Sequence, residues 1–249
     1  MKLLIVLLMT LYYLSTGAQS TTNTSEKTGK PAIIIGALER PSGAIRSYYV
    51  TAGDSLCVVY GLTVEESYPA LLSKGPLFHS HTQVVNTCVA GLKMAQMTDL
   101  YMTTVHPYAP VITGKRAILH FSIYGNDASH ICPSACAYTL ASYEDAISSY
   151  MSRAIADGFQ IEYLLQWPQA GRMKYDTNRI AINTYMTPIA DGGTNKQVSW
   201  IVDANGFMKD PTNLAFYLSD GLHESAAGSA RIAAIIEQLH GAHKGQSSR

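Results

Sequence analysis

Short apolar runs separated by turn residues follow one another in the first part of the chain. Three of them, 32–38, 44–51 and 56–63, predict β-strands, and Ala52-Gly53-Asp54 has the composition of a hairpin turn between two of these strands. From residue 81 to residue 104 apolar residues recur at three- and four-residue spacing, which predicts a helix. We therefore expect a strand-rich unit over 31–80 and a linker helix over 81–107.

Longer apolar segments in the second half predict a strand–helix–strand unit. The run 117–124 is suited to a central strand, a helix is expected up to about residue 156, and 159–167 is a second strand. Two such strands are expected to be parallel and joined by a right-handed crossover. The last domain, 108–249, is completed by a strand at 197–203, a hairpin at Asn205-Gly206 with a return strand, and a helix over 226–239.

The first thirty residues have the pattern of an export signal and a polar lead-in. Lys2 is followed by an apolar run from 3 to 14 and by small residues from 15 to 20. A run of that length covers about 18 Å of the roughly 30 Å hydrocarbon core of a membrane. We expect a signal peptide over 1–20, a flexible lead-in over 21–30, and a mature protein that is periplasmic or secreted and has no membrane span.

Charge is balanced and sparse. The chain has 18 Lys+Arg and 18 Asp+Glu, and 14% of its residues are charged, against roughly 25% in an average soluble domain. A nucleic-acid partner requires a basic face that neutralises phosphates, so we expect none. The 47% of hydrophobic residues is enough to form a packed core, which argues against disorder.

Two cysteines mark the candidate chemistry. Cys132 lies directly before Pro133 at an expected helix start, where unpaired N–H groups stabilise a thiolate. Cys136, four residues later, places its sulfur on the same helix face within disulfide range. The pair could exchange disulfides, bind Cu(I) together with His130, or form a structural bridge.

The other two cysteines, Cys57 and Cys88, are candidates for a structural disulfide within the first unit. Such a bridge is typically worth about 2–4 kcal/mol. The alternatives are two buried thiols or a bridge across a dimer.

The order of strand, loop, C-P-x-x-C at a helix start, second strand and final helix resembles the thioredoxin-like fold. The closest resemblance is to the two-domain periplasmic disulfide isomerases of the DsbC/DsbG type. Segment 43–63 resembles the paired strands of their dimerisation domain, and Thr194-Asn195 lies where that family has a Thr–cis-Pro substrate loop. The resemblance implies an α+β fold with a small strand-rich, dimerisation-like N-terminal domain, a linker helix and a C-terminal thioredoxin-like domain.

The resemblance also implies an activity, that of a thiol–disulfide oxidoreductase or isomerase. Cys132 would be the nucleophile, Cys136 the resolving cysteine and His130 a modulator, with no cofactor and no resident metal. The protein would form a homodimer through its N-terminal domain and act on protein substrates.

Two departures from the family motif leave alternatives open. Three residues separate the cysteines instead of two, and Asn195 stands where the family has proline. A cis bond before a residue other than proline costs about 2.5–4 kcal/mol, so the substrate loop is not expected to keep its geometry. One alternative is a redox-inactive component of an envelope assembly, such as a secretion or conjugation apparatus. The second is a copper-binding protein of the SCO type, which shares the C-x-x-x-C spacing.

Two histidine motifs receive no catalytic role. His79-Ser80-His81 has no acidic residue close enough in sequence to complete a zinc site, so both histidines are expected at the surface. His223-Glu224-Ser225 could belong to a hydrolase, but the chain has no Gly-x-Ser-x-Gly elbow. We expect Glu224 to stabilise the first turn of the last helix through its charge.

Overall fold

The structure, a computed structural model, describes residues 36–58, 60–123, 125–127, 130–131, 138–187 and 195–246. The predicted signal over 1–20 and lead-in over 21–30 lie outside these ranges, as do Cys132, Cys136 and Thr194. Within the described ranges, no helix combines the length and the apolar character that a membrane span requires.

The described strands form one sheet in the order β1-β3-β2-β4-β5-β6. Their bounds are β1 Gly36–Ala37, β2 Ser47–Gly53, β3 Thr82–Asn86, β4 Arg116–Ser122, β5 Gln160–Leu164 and β6 Trp200–Val202. β1 pairs with β3 in the antiparallel sense, and every other pair is parallel. The sheet is therefore mixed only at its edge, and its parallel strands need crossover connections that cover its faces.

Helices cover both faces of this sheet. The described α-helices are α1 Tyr68–Lys74, α2 Met94–Thr104, α3 Pro110–Thr113, α4 Leu140–Ala156, α5 Asp176–Met186 and α6 Ala226–Gln246. The side chains of α1 and α6 pack on one face, and those of α2, α4 and α5 pack on the other. The architecture is a three-layer α/β fold.

Side chains that alternate along the central strand explain the two cores. Tyr49 belongs to the core under α1 and α6, whereas its neighbour Val50 belongs to the core under α2, α4 and α5. Both residues are fully buried, because successive strand residues point to opposite faces and both faces are covered. β2 therefore lies at the centre of the molecule, and whatever follows its carboxyl end is held by a rigid scaffold.

The predicted α+β fold class is wrong. β2 and β3 come from the segment that we assigned to a dimerisation-like domain and a linker helix, yet they pair with each other and β2 pairs with β4 in one sheet. Residues 82–86 form a strand because Val84 and Val85 are buried on opposite faces of the sheet. A strand buried on both faces lacks the alternation of apolar and polar residues, so the sequence pattern predicts the beginning of helix α2 there.

Other sequence predictions have mixed outcomes. The parallel pair β4 and β5 joined by α4 is confirmed, and so are β6 and α6. The strand expected over 56–63 is not found in the described part of that segment, and Gly206 belongs to a turn with no return strand after it in the described residues. Residues 56–58 instead bury their side chains behind the carboxyl end of β2.

Candidate active site

The carboxyl end of β2 carries a serine. The chain leaves β2 for β3 on one side and returns for β4 on the other, which makes β2 the switch point where open α/β sheets hold ligands. Gly53 ends the strand, and a Cβ there would meet the carbonyl oxygen of Ser122 at 2.2 Å, so only glycine fits. Ser55 follows two residues later and is partly exposed.

Ser55, His223 and Asp220 form a chain of hydrogen bonds. The Oγ of Ser55 lies 2.8 Å from Nε2 of His223, and Nδ1 of the same ring lies 2.7 Å from Oδ2 of Asp220. A carboxylate can only accept, so Nδ1 carries the proton and Nε2 is left to accept from the serine hydroxyl. This order of groups converts a serine hydroxyl into a nucleophile.

Asp220 is held in its ionised form. Partial burial raises its pKa, but hydrogen bonds from the His223 ring and from the backbone N–H groups of His223 and Leu222 outweigh this effect. The two backbone donors lie 3.0 Å and 2.8 Å from Oδ1. The pKa of Asp220 is therefore below its usual value, and the carboxylate can stabilise an imidazolium ring at neutral pH.

The segment that carries Asp220 and His223 is fixed by its neighbours. Gly221 has φ +61 and its Cβ position would be 2.6 Å from the Cβ of Ala170, so the turn requires glycine there. The N–H of Ala170 donates to the Gly221 carbonyl at 2.8 Å, and the Tyr60 ring stacks on the His223 ring with 4.0 Å between centroids. The imidazole is thus supported on its face as well as along its edge.

Asn126, after β4, lies beside the serine segment. Its Nδ2 donates to Oδ2 of Asp54 at 3.3 Å and to the carbonyl of Leu92 at 3.1 Å. The amide therefore lies between the backbone segments that contain Ser55 and Gly91. Within the described residues the backbone N–H groups of Ser55 and Gly91 have no acceptor. Backbone N–H groups without an acceptor can stabilise a negatively charged oxygen.

A disulfide between Cys57 and Cys88 ties the serine segment to the loop after β3. The two Cα atoms are 5.8 Å apart, and both side chains are buried. This is the pair that the sequence suggested as a structural bridge. It connects the chain two residues beyond Ser55 with the chain three residues before Gly91, so it restrains both sides of the site.

Glu224 is buried next to His223. Burial raises its pKa to about 8, to which the nearby negative charges of Asp54 and Asp220 contribute. Its Oε2 has no hydrogen-bond partner among the described residues. Glu224 is therefore a neutral acid at pH 7, which does not agree with the expectation that its charge stabilises a helix end.

The residues predicted from the thioredoxin-like resemblance lie elsewhere or outside the described ranges. His130 is exposed, with Nε2 2.9 Å from Nζ of Lys93 and Nδ1 3.2 Å from the carbonyl of Asn126. Asn195 is nearly buried, and its amide binds the backbone of Tyr185 and Gln197 at 3.2 and 2.8 Å, which is a structural role. Cys132, Cys136 and Thr194 are not among the residues described.

The His79 and His81 rings contact backbone carbonyls. Nδ1 of His79 lies 3.3 Å from the carbonyl of Ser73, and Nδ1 of His81 lies 3.2 Å from that of Ala44. No group of three or more potential metal ligands is found in the described part of the chain.

Comparison with known proteins shows the fold. No family model and no curated protein sequence matches the chain. A solved structure of a member of the lipolytic G-D-S-L family from Veillonella parvula aligns with a TM-score of 0.59 at 11% identity, over 78% of this chain and 97% of that one. An acetylxylan esterase from Geobacillus stearothermophilus aligns with a TM-score of 0.55 at 15% identity, over 78% and 94%. A GDSL-like lipase from Bacteroides thetaiotaomicron aligns at 0.53 and 15%, over 77% and 86%.

These structures overturn the predicted family and activity. The resemblance to DsbC/DsbG-type isomerases is wrong, because the chain has the fold of the GDSL structures instead of a thioredoxin-like fold. The predicted thiol–disulfide activity is wrong for the same reason. The envelope-assembly and copper-binding alternatives assumed a thioredoxin-like fold, so they lose their basis as well.

The sequence contained two short signals for the site that the structure reveals. Gly53-Asp54-Ser55-Leu56 follows a strand and reads G-D-S-L, the four letters in the neighbours' names, but its residue pattern predicts a turn followed by another strand. Asp220 and His223 are three residues apart, as an acid and a base on one turn can be. The fold brings these two segments together.

Proposed function

We propose that the protein is a serine hydrolase that cleaves carboxylic esters. The observation that carries the proposal is the hydrogen-bonded chain from Ser55 through His223 to Asp220 at the switch point of the sheet. The names of similarly folded proteins, lipases and an acetylxylan esterase, support an ester as the substrate.

The first half of the reaction forms an acyl-enzyme. Ser55 Oγ attacks the ester carbonyl carbon while Nε2 of His223 takes the hydroxyl proton, and the carboxylate of Asp220 stabilises the resulting imidazolium. The negative charge on the carbonyl oxygen is stabilised by the backbone N–H groups of Ser55 and Gly91 and by one N–H of the Asn126 amide, which gives up its 3.3 Å bond to Asp54. When the tetrahedral intermediate collapses, the carbon–oxygen bond to the alcohol breaks and His223 gives its proton to the departing alkoxide.

The second half restores the enzyme. Water attacks the acyl carbon as His223 takes one of its protons, and the same donors stabilise the second tetrahedral intermediate. The bond to Ser55 Oγ then breaks, His223 returns the proton to that oxygen, and the carboxylic acid leaves. No redox step and no cofactor are needed for this balance.

Hydrolysis of p-nitrophenyl acetate by the purified chain tests the proposal. We expect saturable release of p-nitrophenolate, and Ser55→Ala should lower kcat by at least about 10³-fold, as loss of a triad nucleophile does. Ser80→Ala, which changes an exposed serine on a loop before β3, is the matched control and should keep the parent rate.

Covalent labelling gives a second readout that does not depend on the choice of ester. A fluorophosphonate should transfer its phosphonyl group to Ser55 Oγ with loss of fluoride, and peptide mass spectrometry should locate the added mass on the peptide that contains Ser55. His223→Ala should abolish labelling. Parent protein that neither hydrolyses the ester nor becomes labelled would refute the proposal, as would a Ser55→Ala variant with the parent rate.

A further inference from the structure

A cavity lies at the opposite edge of the sheet from Ser55. Its volume is about 210 Å³, and it is lined by the first residue of each of five strands: Ser47, Thr82, Arg116, Gln160 and Trp200. β2 has seven residues of about 3.3 Å each, so the cavity is roughly 20 Å away from Ser55. The proposed hydrolase reaction uses none of its lining residues.

The walls of this amino-edge cavity are aromatic. The rings of Tyr49, Phe78 and Trp200 surround the ring of His240, with centroid distances of 6.0, 5.8 and 5.3 Å and steep interplanar angles. Ring edges directed at ring faces are the arrangement that aromatic side chains favour. A further flat ring entering the cavity would extend this arrangement.

A buried carboxylate fixes His240. Glu162 is fully buried and accepts hydrogen bonds from His240 Nε2 at 2.7 Å, His120 Nδ1 at 2.6 Å and the hydroxyl of Tyr49. Burial alone would raise the pKa of Glu162, but the hydrogen bonds and charges of the two histidines lower it to about 2. Glu162 is therefore an acceptor only, so Nε2 of His240 carries a proton.

The other ring nitrogen of His240 is available to a ligand. The residue is 9% exposed and lines the cavity, and its Nδ1 has no hydrogen-bond partner among the described residues. When Nε2 carries the single proton of the ring, Nδ1 is an acceptor and fits a hydroxyl donor. This nitrogen is a polar group held in a fixed direction among aromatic rings.

Arg116 places a positive charge at the mouth of the amino-edge cavity. Arg116 lines the cavity and is exposed, and its guanidinium makes no ion pair or hydrogen bond with a described residue. Guanidinium groups bind carboxylates through paired N–H donors. The cavity thus combines a hydroxyl acceptor at its floor, aromatic walls and a carboxylate-binding group at its rim.

We propose that the amino-edge cavity binds a monocyclic phenolic carboxylate. The ring would pack against Phe78 and Trp200, its hydroxyl would donate to His240 Nδ1, and its carboxylate would meet Arg116. The size is suitable, because a cavity of about 150 Å³ lined by apolar side chains admits benzene and this one is larger.

Isothermal titration calorimetry of the full chain with 4-hydroxybenzoate tests the proposal. We expect saturable one-to-one binding, and about tenfold weaker binding of benzoate, which lacks the hydroxyl, and of 4-hydroxybenzyl alcohol, which lacks the carboxylate. Arg116→Gln should weaken 4-hydroxybenzoate about tenfold. Lys115→Gln removes the same charge from the adjacent residue outside the cavity and should leave the affinity unchanged.

Two further variants test the contribution of His240 and the need for space in the cavity. His240→Gln keeps an N–H donor for Glu162 but removes the Nδ1 acceptor, so the preference for 4-hydroxybenzoate over benzoate should disappear. Ile118→Phe adds volume to a lining residue and should abolish binding while ester hydrolysis at Ser55 continues. Continued hydrolysis also shows that the variant is folded.

Several outcomes would overturn the proposal. They are the absence of saturable heat with the parent protein, equal losses in Arg116→Gln and Lys115→Gln, and unchanged binding in a folded Ile118→Phe. Competitive inhibition of ester hydrolysis by 4-hydroxybenzoate would also overturn it, since the acid would then occupy the Ser55 site. Failure of hydrolysis itself would bear on the proposed function and leave the binding measurements interpretable.

Discussion

Removal of the Cys57–Cys88 disulfide should lower the free energy of unfolding strongly and change the rate of ester hydrolysis little. The perturbation is the double variant Cys57→Ala/Cys88→Ala, which deletes the bridge together with two buried sulfur atoms. It leaves Ser55 unchanged. The bridge restrains the serine segment and the loop after β3, so its loss tests how much of the geometry of the site depends on a covalent tie.

The magnitude follows from the length of the closed loop. The cysteines are 31 residues apart, for which the chain-entropy relation gives about 3.7 kcal/mol of stabilisation at 25 °C. Domains are typically stable by about 5–15 kcal/mol, so the loss is a large share of the total. We expect urea unfolding, followed by circular dichroism, to show a free energy of unfolding lower by 3–4 kcal/mol, estimated from the same relation.

Activity should survive because non-covalent bonds hold the same segments. Asn86 donates to the Cys57 carbonyl at 2.9 Å and accepts from the Cys88 N–H at 2.9 Å, and the Val89 N–H donates to the Gly53 carbonyl at 3.0 Å. In the folded variant kcat/KM should stay within about tenfold of the parent value, less than the loss of one oxyanion donor. A free energy of unfolding that changes by less than about 1 kcal/mol would refute the entropic reasoning. Complete loss of activity in a folded variant would refute the role given to these hydrogen bonds.

Three further predictions concern single residues. The pKa of Glu224 is about 8 in the folded chain against an ordinary value of 4.5, so between these pH values the folded state keeps a proton that the unfolded state loses. The free energy of unfolding should therefore fall by up to about 1.4 kcal/mol per pH unit between pH 5 and 8. Glu224→Gln should make this fall smaller in urea titrations. Glu162→Gln should lower the free energy of unfolding by about 3 kcal/mol at pH 7 and by much less near pH 2. A carboxylate with a pKa of about 2 in the folded chain stabilises it above pH 4.5, and this stabilisation is lost as the pH falls to 2. Asn126→Ala should lower kcat about 10²-fold with p-nitrophenyl acetate, as removal of an oxyanion donor does.

Each of these predictions has a result that contradicts it. A pH dependence unchanged by Glu224→Gln would mean that another group retains the proton. If Glu162→Gln lowered the free energy of unfolding equally at pH 2 and pH 7, the two histidines would not be stabilising the ionised carboxylate. For Asn126→Ala, a higher KM with unchanged kcat would place the amide in substrate binding and remove it from transition-state stabilisation.

β2, β4 and β5 could be predicted as strands from the sequence, and β3 could not. β4 and β5 are bounded by polar residues and joined by an amphipathic helix, so their parallel pairing follows from periodicity and crossover rules. β3 has only five residues, lies eight residues before helix α2, and is buried on both faces. Its pattern merged with that of α2, and the loss of this strand from the prediction led to two domains where one sheet exists.

The fold could not be told from the sequence because a strand–helix–strand unit occurs in many α/β folds. Cys132 and Cys136 drew attention to the loop after β4, and the thioredoxin-like interpretation followed from that loop and the order of elements. What distinguishes the two folds is the strand that comes before, β2, and the serine at its end. That serine lies 168 residues before its histidine partner. No spacing rule along the chain connects the two residues.

The buried polar residues under α6 are better explained by placement of His240 than by stability. Replacement of a buried ion pair with apolar side chains of similar volume is often neutral or stabilising, so a carboxylate under a helix is weak evidence for a stability role. Here Glu162 receives three donors, and Tyr68 in turn contacts the second histidine, His120, at 3.1 Å. Two members of this network, His240 and Tyr49, line the amino-edge cavity. A network that fixes the orientation of a cavity residue has a direct use in ligand recognition.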